Sequence, residues 1–252
     1  MVDRCAQFRS LHHADTPLLL PNAWDHASAA LLLAAGFEAV GTTSLGVAAA
    51  AGKPDASSAT LAETLALAAT LAPLPCPVTV DIEGGFGDVA HLAGRLAALG
   101  VAGVNIEDGR PDGTLAEPAE LQHAIRVIKE TAPDLFVNAR TDAFWLDTPD
   151  PLAAALDRAA LYRDAGADGV FVPGVAEPAD IAELTALGVP VNVLFLPGRH
   201  TVAELGDLGV RRVSTGSLLY RAALAAGVAT ARAVRDDGEI PTGIPSYEDL
   251  RF

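Results

Sequence analysis

Short runs of β-branched and apolar residues recur along the chain and alternate with longer stretches in which apolar residues repeat at helical spacing. The short runs predict eight β-strands, near residues 18–24, 39–44, 77–83, 103–108, 135–142, 169–174, 190–195 and 211–216. Intervening stretches such as DVAHLAGRLAALG and PAELQHAIRVIKETAP carry the apolar stripe of an amphipathic helix. The pattern therefore predicts strands and helices in alternation along the whole chain.

Glycine marks the end of several predicted helices, directly before the next strand. The sequences AAGFEAV, ALGVAGV, DAGADGV, ALGVPV and DLGVRRV all place a glycine where a left-handed cap would end a helix. Eight strand–helix units in a chain of this length match an α/β fold of the (β/α)₈ TIM-barrel type. A doubly wound open sheet is the second interpretation, but no GxGxxG follows the first strand. We predict a single barrel domain over residues 1–252.

Composition and charge exclude several functional classes. The chain is 50% hydrophobic with a mean hydropathy of +0.31, yet it has no apolar run near the ~20 residues that a membrane span needs. Its N-terminal segment lacks the apolar part of a secretory signal, so we expect a cytoplasmic protein with no membrane partner. The formal charge of −15 argues against a nucleic-acid partner, because phosphates attract cationic side chains. With only Cys5 and Cys76 present, a thiol metal site and a disulfide framework are excluded.

Charged residues collect at the carboxyl ends of the predicted strands, where barrels of this type carry their active sites. Side chains alternate between the faces of a strand, so Asp81 and Glu83 share the inward face, and Glu107 and Arg140 face inward on the next two strands. Three carboxylates at one rim require a cation, and oxygen ligands without clustered His or Cys suit Mg²⁺, or alternatively Mn²⁺. The competing interpretation is a structural ion pair between Glu107 and Arg140, with Asp81 capping the next helix. We predict the metal site.

Motifs in consecutive predicted units resemble, in the same order, those of the isocitrate lyase/phosphoenolpyruvate mutase superfamily, in its phosphonomutase-like and 2-methylisocitrate lyase-like branch. They are PNAWDHASA, GTTSLGVAAAAGKPD, VTVDIEGGFGD, GVNIEDG, VNARTDAF, GADGVFVPG and VNVLFLPG. The resemblance covers nearly the whole chain. It implies a Mg²⁺-dependent barrel that makes or breaks C–C or P–C bonds beside a 2-oxo acid, through an enolate-like oxyanion. It also implies a homotetramer or homodimer in which the helix near residues 217–236 can be exchanged between subunits.

The resemblance implies a metal-binding and catalytic set. Asp81 resembles the direct metal ligand of the family, and Glu83, Glu107 and Asp55 resemble the acids that hold the metal's water molecules. Arg140 matches the arginine that contacts the substrate and the developing negative charge. We therefore predict Asp81, Glu83 and Glu107 as the metal site and Arg140, Asp55 and Glu107 as the catalytic residues.

The resemblance also implies how a small carboxylic acid substrate binds. Thr43 and the backbone amides of Ser44 and Leu45 match the loop that holds the substrate carboxylate and oxyanion. Arg140 joins them from the fifth predicted strand. Asn192, near the end of the seventh predicted strand, completes the predicted substrate-binding set.

The segment after the fourth predicted strand departs from the family pattern. Isocitrate and methylisocitrate lyases carry a Lys, Cys, Gly, His motif there, and the phosphonate mutase carries a longer loop with Lys and Asn; here IED is followed by GRPDGTLAEPAE. We therefore expect a Mg²⁺-dependent lyase or hydrolase that cleaves a C–C bond in a small 2-oxo or 2-hydroxy (di)carboxylic acid. Chemistry at a P–C bond, of the mutase or phosphonopyruvate hydrolase type, is one alternative. A non-catalytic protein that binds a 2-oxo acid is the other.

Overall fold

Nine parallel strand segments form one sheet in the computed structural model, which describes residues 3–251. They are β1 (Leu18–Leu20), β2 (Asn22–Ala23), β3 (Val40–Thr42), β4 (Val78–Asp81), β5 (Gly103–Glu107), β6 (Phe136–Arg140), β7 (Gly169–Val172), β8 (Val191–Leu194) and β9 (Arg212–Ser214). Hydrogen bonds join them in the order β1-β9-β8-β7-β6-β5-β4-β3-β2. Because β1 and β2 are consecutive in the chain but lie at opposite ends of this order, the sheet forms a nearly closed barrel, and the predicted fold is confirmed.

Pro21 divides the first predicted strand, 18–24, into β1 and β2. Proline has no N–H to donate to a neighbouring strand, so the ladder is interrupted at this residue. β1 pairs with β9, whereas β2 pairs with β3, and the Pro21 carbonyl accepts a hydrogen bond from the Gly41 amide at 2.9 Å. One broken strand therefore contacts both edges of the sheet and joins them.

Ten α-helices within residues 3–251 surround or cap the sheet. They are α1 (Arg4–Leu11), α2 (His26–Ala34), α3 (Ser44–Ala50), α4 (Leu61–Leu71), α5 (Val89–Leu99), α6 (Pro118–Thr131), α7 (Pro151–Asp164), α8 (Pro178–Thr185), α9 (Val202–Asp207) and α10 (Leu218–Arg235); a 3₁₀-helix, Glu248–Leu250, follows. The glycines predicted to end helices all have a positive φ: Gly36 (92°), Gly100 (86°), Gly166 (105°), Gly188 (73°) and Gly209 (88°). This confirms the predicted caps.

The N-terminal helix α1 is not among the predicted elements, because RCAQFRSL has no apolar stripe to reveal it. Its buried residue is Phe8, whose ring lies 5.4 Å from that of Phe136. The ring of His12 lies 4.7 Å from Phe8 and stacks on Phe136 at 4.1 Å, so the three rings form one cluster. A Cβ on Gly103 would lie 2.9 Å from the Phe8 ring. Since Gly103 and Phe136 begin β5 and β6, α1 closes the N-terminal end of the barrel.

Alternate strand residues face the helices and the barrel interior, as predicted. Val80 and Val104 belong to the hydrophobic core between sheet and helices. Asn105 faces inward, because its Oδ1 accepts from Nη2 of Arg212 at 3.1 Å, although β5 and β9 are not neighbours in the sheet. The barrel interior therefore carries polar side chains at the level of Asn105 and Arg212, above the apolar cluster that includes Phe8, Leu20 and Phe136.

Helix α10 lies largely outside this packing. Of its residues only Tyr220 is buried, with its ring 5.3 Å from that of Trp24. Leu224 and Val228 are each 53% exposed and Val234 is 65% exposed. No helix in the described part of the chain is both long enough and apolar enough to cross a membrane.

Candidate active site

A cavity of about 200 Å³ opens at the carboxyl ends of the strands. This volume is below the roughly 300–1,000 Å³ of most ligand pockets and suits a small organic acid. Most of the predicted site residues line it: Thr43, Ser44, Leu45, Asp55, Asp81, Glu107 and Arg140. The structure therefore brings these seven together from five separate segments of the chain. The two remaining predicted residues, Glu83 and Asn192, lie elsewhere.

Arg140, the last residue of β6, lies between two carboxylates. Its Nη1 is 2.7 Å from Oε2 of Glu107, and its Nε is 2.6 Å from Oδ1 of Asp142. Glu107 is directly opposite Arg140 in the β5–β6 register, which explains the first contact. Burial opposes the charge, but Glu107 and Asp142 outweigh it and raise the pKa of Arg140. The ion pair of the competing interpretation is thus present, whereas Asp88 rather than Asp81 caps α5.

Asp81 ends β4 and faces the same cavity. Its Oδ1 accepts a hydrogen bond from the backbone amide of Glu83 at 3.1 Å. Burial raises the pKa of Asp81 and of Glu107, Arg140 opposes the rise, and the charge of Asp55 adds to it. Burial is the main cause of both raised pKa values. The excess of negative charge follows from the lining itself, in which the carboxylates of Asp55, Asp81, Glu107 and Asp142 outnumber the guanidinium groups of Arg110 and Arg140.

These carboxylates fit a hydrated divalent cation. Within residues 3–251, no three His, Cys, Asp or Glu side chains are arranged to ligate one metal ion directly. Mg²⁺, however, commonly takes only one or two carboxylates and retains several waters. Asp81 and Glu107 share one cavity, and Asp81 raises the pKa of Glu107, so both hard oxygen donors and unbalanced negative charge are present.

Glu83 does not line the active-site cavity; together with Glu107 it lines an adjoining one. β4 ends at Asp81, and Glu83 has a φ of +48°, so the alternation of strand side chains does not extend to it. Its Oε2 accepts from the Ser58 amide at 2.8 Å and its Oε1 from the Thr60 hydroxyl at 2.7 Å. The buried Glu83 side chain therefore holds the 53–60 segment that carries Asp55. Its contact with a metal-bound water stays a prediction.

Thr43, Ser44 and Leu45 form the start of α3 beside the cavity. Thr43 is the N-cap, and its Oγ1 accepts from the Gly46 amide at 3.4 Å. Ser44 and Leu45 therefore occupy the first helical turn, where backbone amides have no acceptor within the helix. These two amides remain donors for an anionic ligand.

Asn192 is not at the cavity, in contrast to the prediction. It is buried inside the barrel, where its Oδ1 accepts from the Ser214 hydroxyl at 3.1 Å. Because side chains of one face repeat every second residue, the next inward residue of β8 is Leu194, and Leu194 lines the cavity instead. The prediction therefore chose an inward-facing residue of the correct strand, but one that lies two residues before the cavity.

The cavity is also lined by residues outside the predicted catalytic, substrate-binding and metal set: Asn22, Thr42, Asn105, Gly109, Arg110, Asp142, Trp145, Phe171, Ser214, Gly216 and Ser217. Asp142 and Asn105 follow from strand position, because Asp142 comes two residues after Arg140 and Asn105 two residues before Glu107. The positions contributed by the 109–116 segment could not be predicted in this way, because the path of a loop does not follow from strand alternation.

Asp108 supports this site from behind. Its Oδ1 accepts from the Asp142 amide at 2.9 Å, and its Oδ2 accepts from Nη1 of Arg158 at 2.9 Å and from the Tyr162 hydroxyl at 2.7 Å. Burial and the neighbouring Asp108 raise the pKa of Tyr162, so its hydroxyl remains a donor. The network fixes Asp142, and Asp142 in turn fixes Arg140.

Comparison with known proteins relates this geometry to a family. The family model for phosphoenolpyruvate phosphomutase matches residues 8–235. An uncharacterized protein of Mycobacterium tuberculosis is 49% identical over 246 residues, covering 97% of this chain and 94% of that protein. The phosphoenolpyruvate phosphomutase of Streptomyces hygroscopicus is 33% identical, covering 96% of this chain and 82% of that enzyme. The structure of oxaloacetate acetylhydrolase in complex with its product oxalate is 25% identical, with a TM-score of 0.86, and the match covers 98% of this chain and 92% of that one.

Proposed function

This chain belongs to the phosphoenolpyruvate mutase/isocitrate lyase superfamily, and we propose that it is a Mg²⁺-dependent lyase or hydrolase that cleaves a C–C bond in a small 2-oxo or 2-hydroxy dicarboxylic acid. The observation that carries this proposal is Arg140, a buried cation pinned by Glu107 and Asp142 in the cavity that Asp81 also lines. The oxaloacetate acetylhydrolase match supports a C–C reaction, because that enzyme is named for an oxo dicarboxylic acid.

Cleavage beside an oxo group leaves negative charge on the oxo oxygen, so the site must stabilise an enolate. Arg140 supplies a positive charge that does not need to reorganise, since two ion pairs already hold it in place. The Ser44 and Leu45 amides supply hydrogen-bond donors at the start of α3. Mg²⁺, or Mn²⁺, held by Asp81 with its waters on Glu107, would supply further positive charge.

Asp55 is the carboxylate that we assign to proton transfer. Asp81, Glu107 and Asp142 each engage a neighbour, whereas the Asp55 side chain makes no hydrogen bond or ion pair with any described residue. It is exposed on the 53–60 segment, which is anchored through Glu83. An unengaged carboxylate at the cavity wall is free to take or give a proton at the substrate carbon.

Chemistry at a P–C bond is the second candidate. It is favoured by the match to the Streptomyces phosphomutase over nearly the whole chain. The 109–116 segment argues against it, because it lacks the Lys and Asn expected of that branch. Binding of a 2-oxo acid without turnover is the candidate from a different functional class.

The deciding experiment incubates purified protein and Mg²⁺ with oxaloacetate, 2-alkylmalates, isocitrate, methylisocitrate and phosphonopyruvate, and follows pyruvate, glyoxylate or oxalate release. We expect turnover of a C4 to C6 dicarboxylic acid, abolished in Asp81→Asn and unchanged in Asp157→Asn, which alters an exposed acid on α7. Turnover of phosphonopyruvate alone would favour the second candidate. Saturable binding of a 2-oxo acid with no turnover of any compound would refute catalysis.

The surface of α10 supports an assembly of identical chains. Leu224, Val228 and Val234 are more than half exposed on this helix, and the 236–251 segment beyond it is exposed throughout. Leaving such residues in water forgoes about 1.5–3 kcal/mol each relative to burial. We propose that a second copy of the chain covers them, in a homodimer or homotetramer.

A further inference from the structure

We propose that Arg110 determines substrate specificity by binding the distal carboxylate of a dicarboxylic acid. This inference rests on the proposed function and adds a residue to it. Among the described residues that line the cavity, Arg110 and Arg140 are the positively charged ones. The two arginines differ in how firmly they are held, and that difference assigns their tasks.

Arg140 is committed to its carboxylate partners. Its side chain is 17% exposed, and those of Glu107 and Asp142 are 6% and 4% exposed. Separating it from either partner would leave a buried charge uncompensated, which is strongly unfavourable. Arg140 can therefore stabilise charge only at the place where it already lies.

Arg110 is held by a contact that is easily exchanged. Its Nη2 is 2.6 Å from Oε1 of Glu120, and the two side chains are 43% and 56% exposed. Ion pairs of this kind contribute little to stability, because water competes with both partners. Arg110 can therefore leave Glu120 for a carboxylate of the ligand at small cost.

The surroundings of Arg110 leave room for this movement. Arg110 lines the active-site cavity and also an adjoining cavity of about 200 Å³ in which Glu120 lies. Its side chain thus lies between two open spaces and can turn from one to the other without repacking the core. The structure shows the guanidinium in the orientation that faces Glu120.

The backbone of Arg110, in contrast, is fixed beside the site. Its amide donates to the Thr114 carbonyl at 2.9 Å, and Gly109 bridges to Leu115 in an antiparallel turn. A Cβ on Gly109 would come within 2.2 Å of Oδ2 of Asp142, so the turn packs directly against the partner of Arg140. Only the Arg110 side chain needs to move in order to reach a ligand.

The charged groups of the cavity favour a ligand with two carboxylates only if Arg110 binds one of them. Four carboxylates line the cavity, Asp55, Asp81, Glu107 and Asp142, and Arg140 is already shared by two of them. A second carboxylate on the substrate would otherwise meet net negative charge. A guanidinium offers paired donors that match both carboxylate oxygens, which a methyl group in that place could not use.

The test compares racemic malate with racemic 2-hydroxybutyrate, which differ only in that a methyl group replaces the distal carboxylate. Binding is measured by calorimetry with Mg²⁺ for the unaltered protein, Arg110→Met, Glu120→Gln and the control Arg126→Met, which removes an exposed arginine of α6. We expect Arg110→Met to weaken malate binding about 10- to 100-fold and 2-hydroxybutyrate binding less than about twofold, since a lost charged hydrogen bond has this effect. Glu120→Gln should tighten malate binding up to about fivefold, because it removes the competing carboxylate, and Arg126→Met should match the unaltered protein.

The outcomes separate this inference from the proposed function. Equal weakening of both acids in Arg110→Met, or no change for malate, overturns the role of Arg110, while turnover of a dicarboxylic acid would still support the proposed function. A preference of the unaltered protein for malate below about twofold overturns it as well. If the unaltered protein binds neither acid and turns over no compound in the panel, both proposals fall.

Discussion

Replacement of Arg140 by methionine tests whether the buried charge cluster is organised as described. The substitution keeps an unbranched apolar stem but removes the cation from between Glu107 and Asp142, whose side chains are 6% and 4% exposed. Both carboxylates then face an interior without their counter-charge. The structure therefore predicts a substantial effect on folding in addition to the loss of a catalytic residue.

Two estimates of the effect on folding agree. Removing one partner of a buried ion pair typically costs about 3–5 kcal/mol. The carboxyl group can instead become protonated; at pH 7, keeping one carboxyl neutral whose unfolded pKa is near 4 costs about 4 kcal/mol. Glu107 adds less than a further 4 kcal/mol to the loss of folding stability, since its pKa is already raised in the unaltered protein. Because the carboxyl group has a higher pKa in the folded variant than in the unfolded chain, the stability lost in Arg140→Met grows with pH. About 1 kcal/mol of that loss should remain at pH 5.

The assay is urea unfolding followed by circular dichroism at pH 5 and pH 7 in a chelating buffer, with Arg126→Met as the control. We expect Arg140→Met to be less stable by about 3–5 kcal/mol at pH 7, with a much smaller loss at pH 5. The double variant Arg140→Met/Asp142→Asn should recover part of the difference, because one unpaired charge is gone. A deficit that is below about 1 kcal/mol at pH 7, or that is equal at both pH values, would show that the buried cluster is not held by Arg140.

Three further outcomes follow from the structure. Burial, with Arg212 nearby, lowers the pKa of His12 from 6.5 to about 3. Folding stability should therefore fall as pH drops through this window, by about 3 kcal/mol at pH 4.5, and His12→Gln should make stability less dependent on pH in acid unfolding experiments. The same pH dependence in both proteins would contradict the burial argument. Gly109→Ala places a Cβ against Asp142 and should lower stability by about 1–3 kcal/mol and weaken malate binding in calorimetry. The control Gly227→Ala, with nothing near its Cβ, should not weaken binding. Intact binding in Gly109→Ala would mean that the turn is free to shift. Leu224→Glu on the exposed face of α10 should reduce the molar mass measured by light scattering, and the same mass in both proteins would place the assembly surface elsewhere.

The parts of the site that could be predicted are those that follow from strand periodicity. Asp81, Glu107 and Arg140 end three consecutive parallel strands, so a period of two along each strand and pairing between them bring their side chains to one rim. Glu83 departs from this rule at the residue where β4 has ended and the backbone enters the left-handed region. Asn192 obeys the rule and is in register with Arg140 through Phe171, but it lies deeper, because the stagger of the strands tilts such a row relative to the barrel axis.

Local sequence patterns were enough to predict the alternation of strands and helices, the glycine caps, the barrel class and the charged residues at the strand ends. Each of these depends on short-range periodicity or on local backbone conformation. Other features became visible only in the folded chain. Pro21 lets one strand join both edges of the sheet, and Asp142 and Asp108 hold Arg140. Glu83 anchors the segment that carries Asp55, and Arg110 lies beside the cavity with an exchangeable partner. These relations join residues far apart in the chain, and they depend on barrel closure, strand stagger and loop paths, which local patterns do not encode.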